Sequence, residues 1–332
     1  MDWSKYTFDL FGDGIKFESH LIAQHHKDAA CGINPNGIGF HVIINNTPSK
    51  HLYDKNIRRH PRIVFATSLK TVDKTNIVSL CFMNYTGSLP NAEILKTYTN
   101  LKCLTIAFTN EPSHIKLEDL YLFLAQNLSL EMLRFSNVII DEIDLIPVLS
   151  SLKSNTTIQA LELVNVRVGK LYTGNTSKTF RAIASILKTN QFLSYLCLDM
   201  CDDMSSVDFE NVCCALQRNT SLECLILALN GLDVGPVLEF IYTNRYLRTL
   251  MLSSDKSCRS VFEALKFNAS IQRCVFEFGP EDEELYQLMA ETVEMNGTLV
   301  DIYEPKEMTT RRSLVPFLEF NRRNLMKSYG NF

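Results

Sequence analysis

From about residue 75 to near the C-terminal end, apolar residues keep two alternating spacings, first four apart and then two apart. With Φ for an apolar residue, the shared frame is Φ-xxx-Φ-xx-N-xx-Φ-xx-Φ-x-Φ. Its asparagine falls at Asn127, Asn155, Asn190, Asn219, Asn244, Asn268 and Asn296. Three residues before these stand Leu124, Leu152, Leu187, Leu216, Ile241, Leu265 and Val293, and four residues earlier again Leu120, Val148, Ile183, Val212, Val237, Val261 and Met289. Side chains four apart share one face of a helix, so this half of the frame predicts an amphipathic helix that ends at the asparagine. The asparagine is expected in the left-handed conformation that such a helix end demands. Beyond it, runs such as Leu222, Leu225, Leu227 and Ile158, Leu161, Leu163 predict a short strand with one buried face. Each copy is thus a strand, a loop, a helix and a turn.

The strand anchors Ile77, Leu101, Leu130, Ile158, Leu193, Leu222, Leu247, Ile271 and Leu299 follow one another by 24 to 29 residues, with one step of 35. That period marks a stack of repeats, each of which buries its core only against its neighbours. The long step contains GKLYTGNTSKT (169–179), which predicts a protruding loop. A last helical half reads Leu314, Leu318, Asn321, but Asn324 stands where the next strand needs an apolar residue, so the stack is expected to close there. The run LECLILALNGL (222–232) fills the pattern LxxLxLxxNxL at every fixed position. By these residues the chain resembles leucine-rich repeat proteins of the ribonuclease-inhibitor-like subclass, which includes the repeat domains of tropomodulin, CARMIL, RanGAP and the NOD-like receptors. The resemblance covers roughly 75–324. It implies an α/β leucine-rich repeat solenoid, curved, with parallel strands on the concave side and helices on the convex side. Caps are expected at both ends, dividing the chain into an N-terminal cap region (1–74), the solenoid (75–310) and a C-terminal capping helix and tail (311–332). Cys201, Val166, Val138 and Asp255 replace the loop asparagine in other copies; Cys is a family alternative there, and the others predict an irregular inner ladder.

Residues between the strand leucines face out of such a sheet. One predicted row is Cys81, Thr105, Arg134, Glu162, Cys197, Ile226, Met251, Val275 and Tyr303, and the row two residues earlier is Ser79, Cys103, Met132, Ala160, Tyr195, Cys224, Thr249, Arg273 and Asp301. Tyr195, Cys197, Cys224, Ile226, Met251 and Val275 then form an apolar patch, edged by Arg273, Asp199 and Glu277. With Arg273 these six are the candidate partner-binding residues, because a sizeable exposed apolar patch often marks a binding site. The chain's own N-terminal region or an inter-repeat loop is the alternative occupant.

A net charge of −4, from 33 Lys and Arg against 37 Asp and Glu, argues against a surface built for nucleic acid. No run of about 20 apolar residues predicts a membrane span, and the start MDWSKYTFDL does not have the form of a signal peptide. The first 74 residues lie outside the repeat: they offer an amphipathic helix at 15–30, an alternating strand GFHVII (39–44), and a stretch, 50–74, with seven Lys and Arg against two Asp. That stretch is expected to be a solvated basic face or a docking surface for an acidic protein. Ten cysteines without a CxxC pair fit reduced thiols and a cytoplasmic home. Sequons such as Asn219-Thr220-Ser221 and Asn268-Ala269-Ser270 recur because the turn needs them, and sugars there would obstruct stacking.

No phosphate-binding loop, dinucleotide fingerprint, HExxH or GxSxG occurs. His20, His25 and His26 do not share a helical face, and Cys201 of the run Cys201-Asp202-Asp203 sits at a ladder position with no base at hand. The expectation is a non-enzymatic protein-interaction module or scaffold, without catalytic residues, cofactor, metal or small-molecule substrate, that binds a protein on the concave face. Its implied settings are the cytoskeleton, the cilium, or a bacterial effector. The resemblance implies one alternative, a RanGAP-like regulator of a small GTPase, although the C-terminal sequence NRRNLMKSYGNF lacks that family's acidic tail.

Overall fold

The computed structural model describes residues 40–45, 63–66, 77–85, 87–108, 111–169, 177–199, 204–228, 232–253, 259–277, 283–303 and 321. The helix expected at 15–30, nearly all of the basic stretch 50–74, most of the 169–179 insertion, Cys201, Asn230, Asp255 and the C-terminal segment other than Asn321 lie outside them. The chain divides into two compact units, Met1–Thr179 and Phe180–Phe332.

In the first unit, β1 (Phe40–Asn45), β2 (Ile63–Ala66), β3 (Ile77–Met83), β5 (Cys103–Ala107), β7 (Met132–Ile140) and β8 (Ala160–Val168) pair in parallel in the order β2-β1-β3-β5-β7-β8. β1 therefore covers the free edge of the first repeat strand, and the expected strand at 39–44 is part of the sheet. Helices α1 (Ala92–Lys96), α2 (Leu120–Gln126) and α3 (Glu142–Leu152) separate successive strands. Short strands β4 (Gly87–Ser88) and β6 (Ser113–Lys116) add a second parallel line that continues onto the far end of β7.

In the second unit, β9 (Tyr195–Asp199), β10 (Cys224–Ala228), β11 (Thr249–Ser253), β12 (Arg273–Glu277) and β13 (Asp301–Tyr303) pair in parallel in sequence order. They alternate with α4 (Ser177–Thr189), α5 (Ser206–Arg218), α6 (Gly235–Thr243), α7 (Arg259–Leu265) and α8 (Glu283–Met295). A parallel connection needs a crossover, and here the helix supplies it. The frame leucines are sealed between the two layers: Leu222, Leu225 and Leu227 are fully buried, as are Val212 and, nearly so, Leu216 one turn apart on α5. Each such side chain contributes roughly 1.5–3 kcal/mol. The start of α5 is fixed by Ser205, whose Oγ accepts the Asp208 backbone N–H at 3.2 Å and donates to its carboxylate at 2.6 Å.

The frame asparagines overturn one expectation. Asn127, Asn219 and Asn244 are helix C-caps with φ of −76°, −72° and −71° and ψ near 130°, extended rather than left-handed backbone. They are there for their amides. Asn244 Oδ1 accepts the backbone N–H of Tyr246 and of Leu247, both at 2.8 Å, and its Nδ2 donates to the carbonyls of Leu216 at 2.8 Å and Asn219 at 3.1 Å, one repeat back. Asn219 and Asn268 repeat this reach to Leu187 and Ile241, Asn296 to Leu265 and Asn268, and Asn155 to Leu124. Asn321 donates to Val293, Asn296 and Leu299, so the spine extends to the last copy of the frame. Turn backbone that hydrophobic stacking would leave unpaired is thereby satisfied across these repeat boundaries.

Left-handed asparagines do occur, at Asn84, Asn137 and Asn165, with φ of 50°, 57° and 47°. Each stands one residue ahead of the loop asparagine's position, which explains why Val138 and Val166 fill that position: both are buried and carry β7 and β8 onward in register. Asn165 Nδ2 donates to Asn137 Oδ1 at 2.7 Å, and Asn137 Nδ2 to the Phe108 carbonyl at 3.0 Å, forming a second, shorter ladder.

Candidate functional site

The two predicted outward rows are brought together residue for residue. Tyr195, Cys224, Thr249, Arg273 and Asp301 are ladder partners, and so are Cys197, Ile226, Met251, Val275 and Tyr303. The expectation that these residues form an open apolar patch is corrected. Cys197, Ile226, Met251 and Val275 keep only 4–6% of their surface in solvent, and Tyr195 is buried too. Cys224 is half-buried, and of the seven candidates Arg273 alone is exposed. Strands about 4.8 Å apart press equivalent side chains together, so a row of large residues shields its own middle and leaves access at its rim.

In the first unit the same rows carry a polar cluster. Arg134 Nε lies 2.9 Å from Glu162 Oε2, with side-chain exposures of 12% and 5%. Thr105 and Cys81 continue the row of this pair, and Ser79 and Cys103 sit in the row beside it. Burial pushes the Cys81 thiol up to about 12 and the Cys103 thiol up to about 11. Burial likewise raises Cys274 well above its ordinary range, so these three thiols are held as neutral groups rather than poised as nucleophiles. The ladder position of Arg134 opposite Glu162 was visible in the two rows. Their closeness as an ion pair follows only once the strands are in register.

The solvated large apolar residues lie elsewhere. On the turn edge of the second unit, where helices end and chains re-enter the sheet, Tyr242, Tyr246, Phe267 and Met295 are 43–64% exposed. The Tyr242 and Phe267 rings, from neighbouring repeats, sit 6.4 Å apart between centroids, and Met295 is the equivalent of Phe267 one repeat on. Their positions flank the spine asparagines by one or two residues. Apolar residues just outside a buried frame position carry no periodicity signal of their own, and a pattern tuned to core positions passes over them.

Within each unit, parallel frame strands of three to nine residues alternate with helices and stack through a buried leucine frame. The fold is a leucine-rich repeat solenoid of the ribonuclease-inhibitor-like kind. No family model matches the chain, and no curated protein matches it. Among solved structures it is similar to the tropomodulin C-terminal domain of Caenorhabditis elegans, with 16% identity and a TM-score of 0.38 over 46% of this chain and 99% of that one. It is also similar to leiomodin-1 actin-binding site 2, with 13% identity and a TM-score of 0.25 over 56% and 77% of the two chains. An internalin from Listeria monocytogenes matches at 13% identity and a TM-score of 0.34, over 72% of each chain. Among the described residues, no helix is long and apolar enough to cross a membrane, and no group of three His, Cys, Asp or Glu side chains is placed to hold a metal ion.

Proposed function

We propose that this protein is a non-enzymatic protein-interaction module whose docking surface is the turn edge of the second unit. One observation carries the reading: Tyr242, Tyr246, Phe267 and Met295, from three successive repeats, stand in solvent along one edge, with the Tyr242 and Phe267 rings 6.4 Å apart. Aromatic side chains hold 150–250 Å2 each, so the four expose on the order of 300 Å2, a patch of the size that marks binding sites on monomers. A photo-crosslinking residue placed at Phe267 or Met295 of the full chain tests it in an extract of the source cells. Specific protein adducts are expected at both, and not at the exposed helix position Asn211. Equal labelling at all three sites refutes the edge as a docking surface.

The sheet face is a second reading, favoured by the exposure of Arg273 beside the apolar row of Cys197, Ile226, Met251 and Val275. Arg273→Glu is its probe, since arginine substitutions at Ile226 or Met251 would place charge in buried positions.

The cytoplasmic expectation gains support from the spine. Asn127, Asn155, Asn219, Asn268 and Asn296 all begin N-x-S/T sequons, and their amides are engaged in turn and inter-repeat hydrogen bonds. The hydroxyls of the third residues are used as well: Ser129, Ser221 and Ser270 donate to carbonyls of the preceding repeat, Leu101, Asn190 and Asn244. A glycan takes one of the two amide hydrogens and adds bulk where Asn155, Asn219, Asn268 and Asn296 reach the preceding repeat, so the chain is suited to a compartment without N-glycosylation.

A further inference from the structure

We infer that the turn edge takes a short acidic peptide segment with an apolar end, an inference that rests on the docking role proposed above and names the chemistry of the partner. Charge is distributed along this edge in one sense. Within two residues of the five spine asparagines from Asn190 to Asn296 stand four basic residues and one acidic one, in a chain whose net charge is −4. Where a basic residue has acids within reach, it uses them: Lys266 bridges Glu263 at 3.1 Å and Glu291 at 3.3 Å. Lys188, Arg218 and Arg245 are exposed and have no ion pair among the described residues. Lys188 and Arg218 lie in last helical turns, where a cation also favours the helix dipole. That effect accounts neither for Arg245, one residue past its cap, nor for the rings beside it.

The free cations belong to the repeats of Asn190, Asn219 and Asn244, where exposed Phe192 also stands, and the cluster of exposed Tyr242, Tyr246, Phe267 and Met295 belongs to those of Asn244, Asn268 and Asn296. Parallel strands are about 4.8 Å apart, so four repeat steps span at least about 19 Å, the reach of roughly six extended residues. A segment laid across the repeats meets cations with its acidic part and apolar side chains with the other. The rings favour a protein over a nucleic acid, because Tyr242 and Phe267 pack on one another and Met295 offers no stacking face.

The test uses the intact chain and fluorescein-labelled octapeptides: four acidic residues followed by four apolar ones, the same peptide with lysines for the acids, and an eight-base oligothymidylate as competitor. Saturable binding of the acidic peptide is expected, weakening with salt. Arg218→Glu combined with Arg245→Glu, and separately Phe267→Ser combined with Met295→Ser, should each weaken it at least tenfold. All four positions are exposed, and circular dichroism with urea midpoints confirms that the variants fold. Absence of binding, unchanged affinity in the charge-reversed variant, equal binding of the lysine peptide, or equal competition by the oligonucleotide each overturns the acidic assignment. If crosslinks at Phe267 and Met295 persist while any of these results is found, the docking role stands and only its chemistry falls.

Discussion

Asn244 offers the sharpest test of what the recurring asparagine does. It is nearly fully buried, makes four hydrogen bonds, and its own carbonyl accepts from Asn268 Nδ2 at 3.3 Å and Ser270 Oγ at 3.2 Å. Asn244→Ala removes the acceptor of the Tyr246 and Leu247 amides, takes a donor from the Asn219 carbonyl, and leaves the Leu216 carbonyl with the long 3.3 Å approach of the Asn219 amide. An orphaned buried backbone group costs about 1–3 kcal/mol, so two amides and two weakened carbonyls amount to at least roughly 3 kcal/mol. That is a large share of the 5–15 kcal/mol typical of a folded domain. Because the backbone here is extended, Asn244→Gly gains nothing from conformational freedom and is expected to be at least as damaging as Asn244→Ala. At Asn137, where φ is 57°, the order reverses: Asn137→Ala adds a left-handed penalty of roughly 1 kcal/mol that Asn137→Gly avoids. Urea unfolding followed by circular dichroism ranks the four variants, and hydrogen exchange at Tyr246 and Leu247 localises the loss, since repeat arrays can open in parts. Asn244→Gly within about 0.5 kcal/mol of the native chain, with Asn244→Ala clearly destabilised, would show that the position exists for its backbone conformation and refute the spine.

Three further outcomes follow from the same structure. Removing one partner of the Arg134–Glu162 pair, as in Arg134→Ala, should cost about 3–5 kcal/mol in urea unfolding, whereas Arg134→Met with Glu162→Leu together should be close to neutral; equal losses would show that the pair itself holds the strands. Cys81 and Cys103 have folded pKa values raised from 9.0 to about 12 and about 11, so their contribution is intact below pH 9 and is lost as pH climbs from 9 through 11 to 12. Cys81→Ala should flatten that alkaline decline, and at pH 8 iodoacetamide should label exposed Cys214 while sparing Cys81, Cys103 and Cys274; prompt modification of the buried thiols would contradict their placement. Directed into a secretory route by an added signal peptide, the chain should acquire endoglycosidase-sensitive glycans at spine sequons and lose its cooperative unfolding transition; a glycosylated product that unfolds like the unglycosylated chain would refute the role given to those amides.

The frame was legible because leucine periodicity and burial have one cause: a side chain every second residue on a strand and every fourth on a helix must share a face, and Leu222, Leu225, Leu227 and Val212 do. Register was legible too, since each strand keeps the same spacing from its own anchor leucine, which brings Ile226 beside Cys197 and Met251. Exposure was not. Alternation assigns a side of the sheet, but whether that side meets water depends on how closely neighbours press, and Ile226 and Met251 are outward yet buried. The asparagine was legible as a position and misread as a mechanism, because left-handed tolerance and amide hydrogen bonding select the same residue type; only the φ of −71° at Asn244 separates them. That distinction bears on the proposed docking role. A glycine-tolerant turn would let each repeat boundary flex, whereas an amide that binds two carbonyls of the preceding repeat fixes the spacing of Arg218, Arg245, Phe267 and Met295 along the edge. A partner that reads cations and rings in order needs that spacing held before it arrives, so the entropy of aligning them is met in folding rather than in binding.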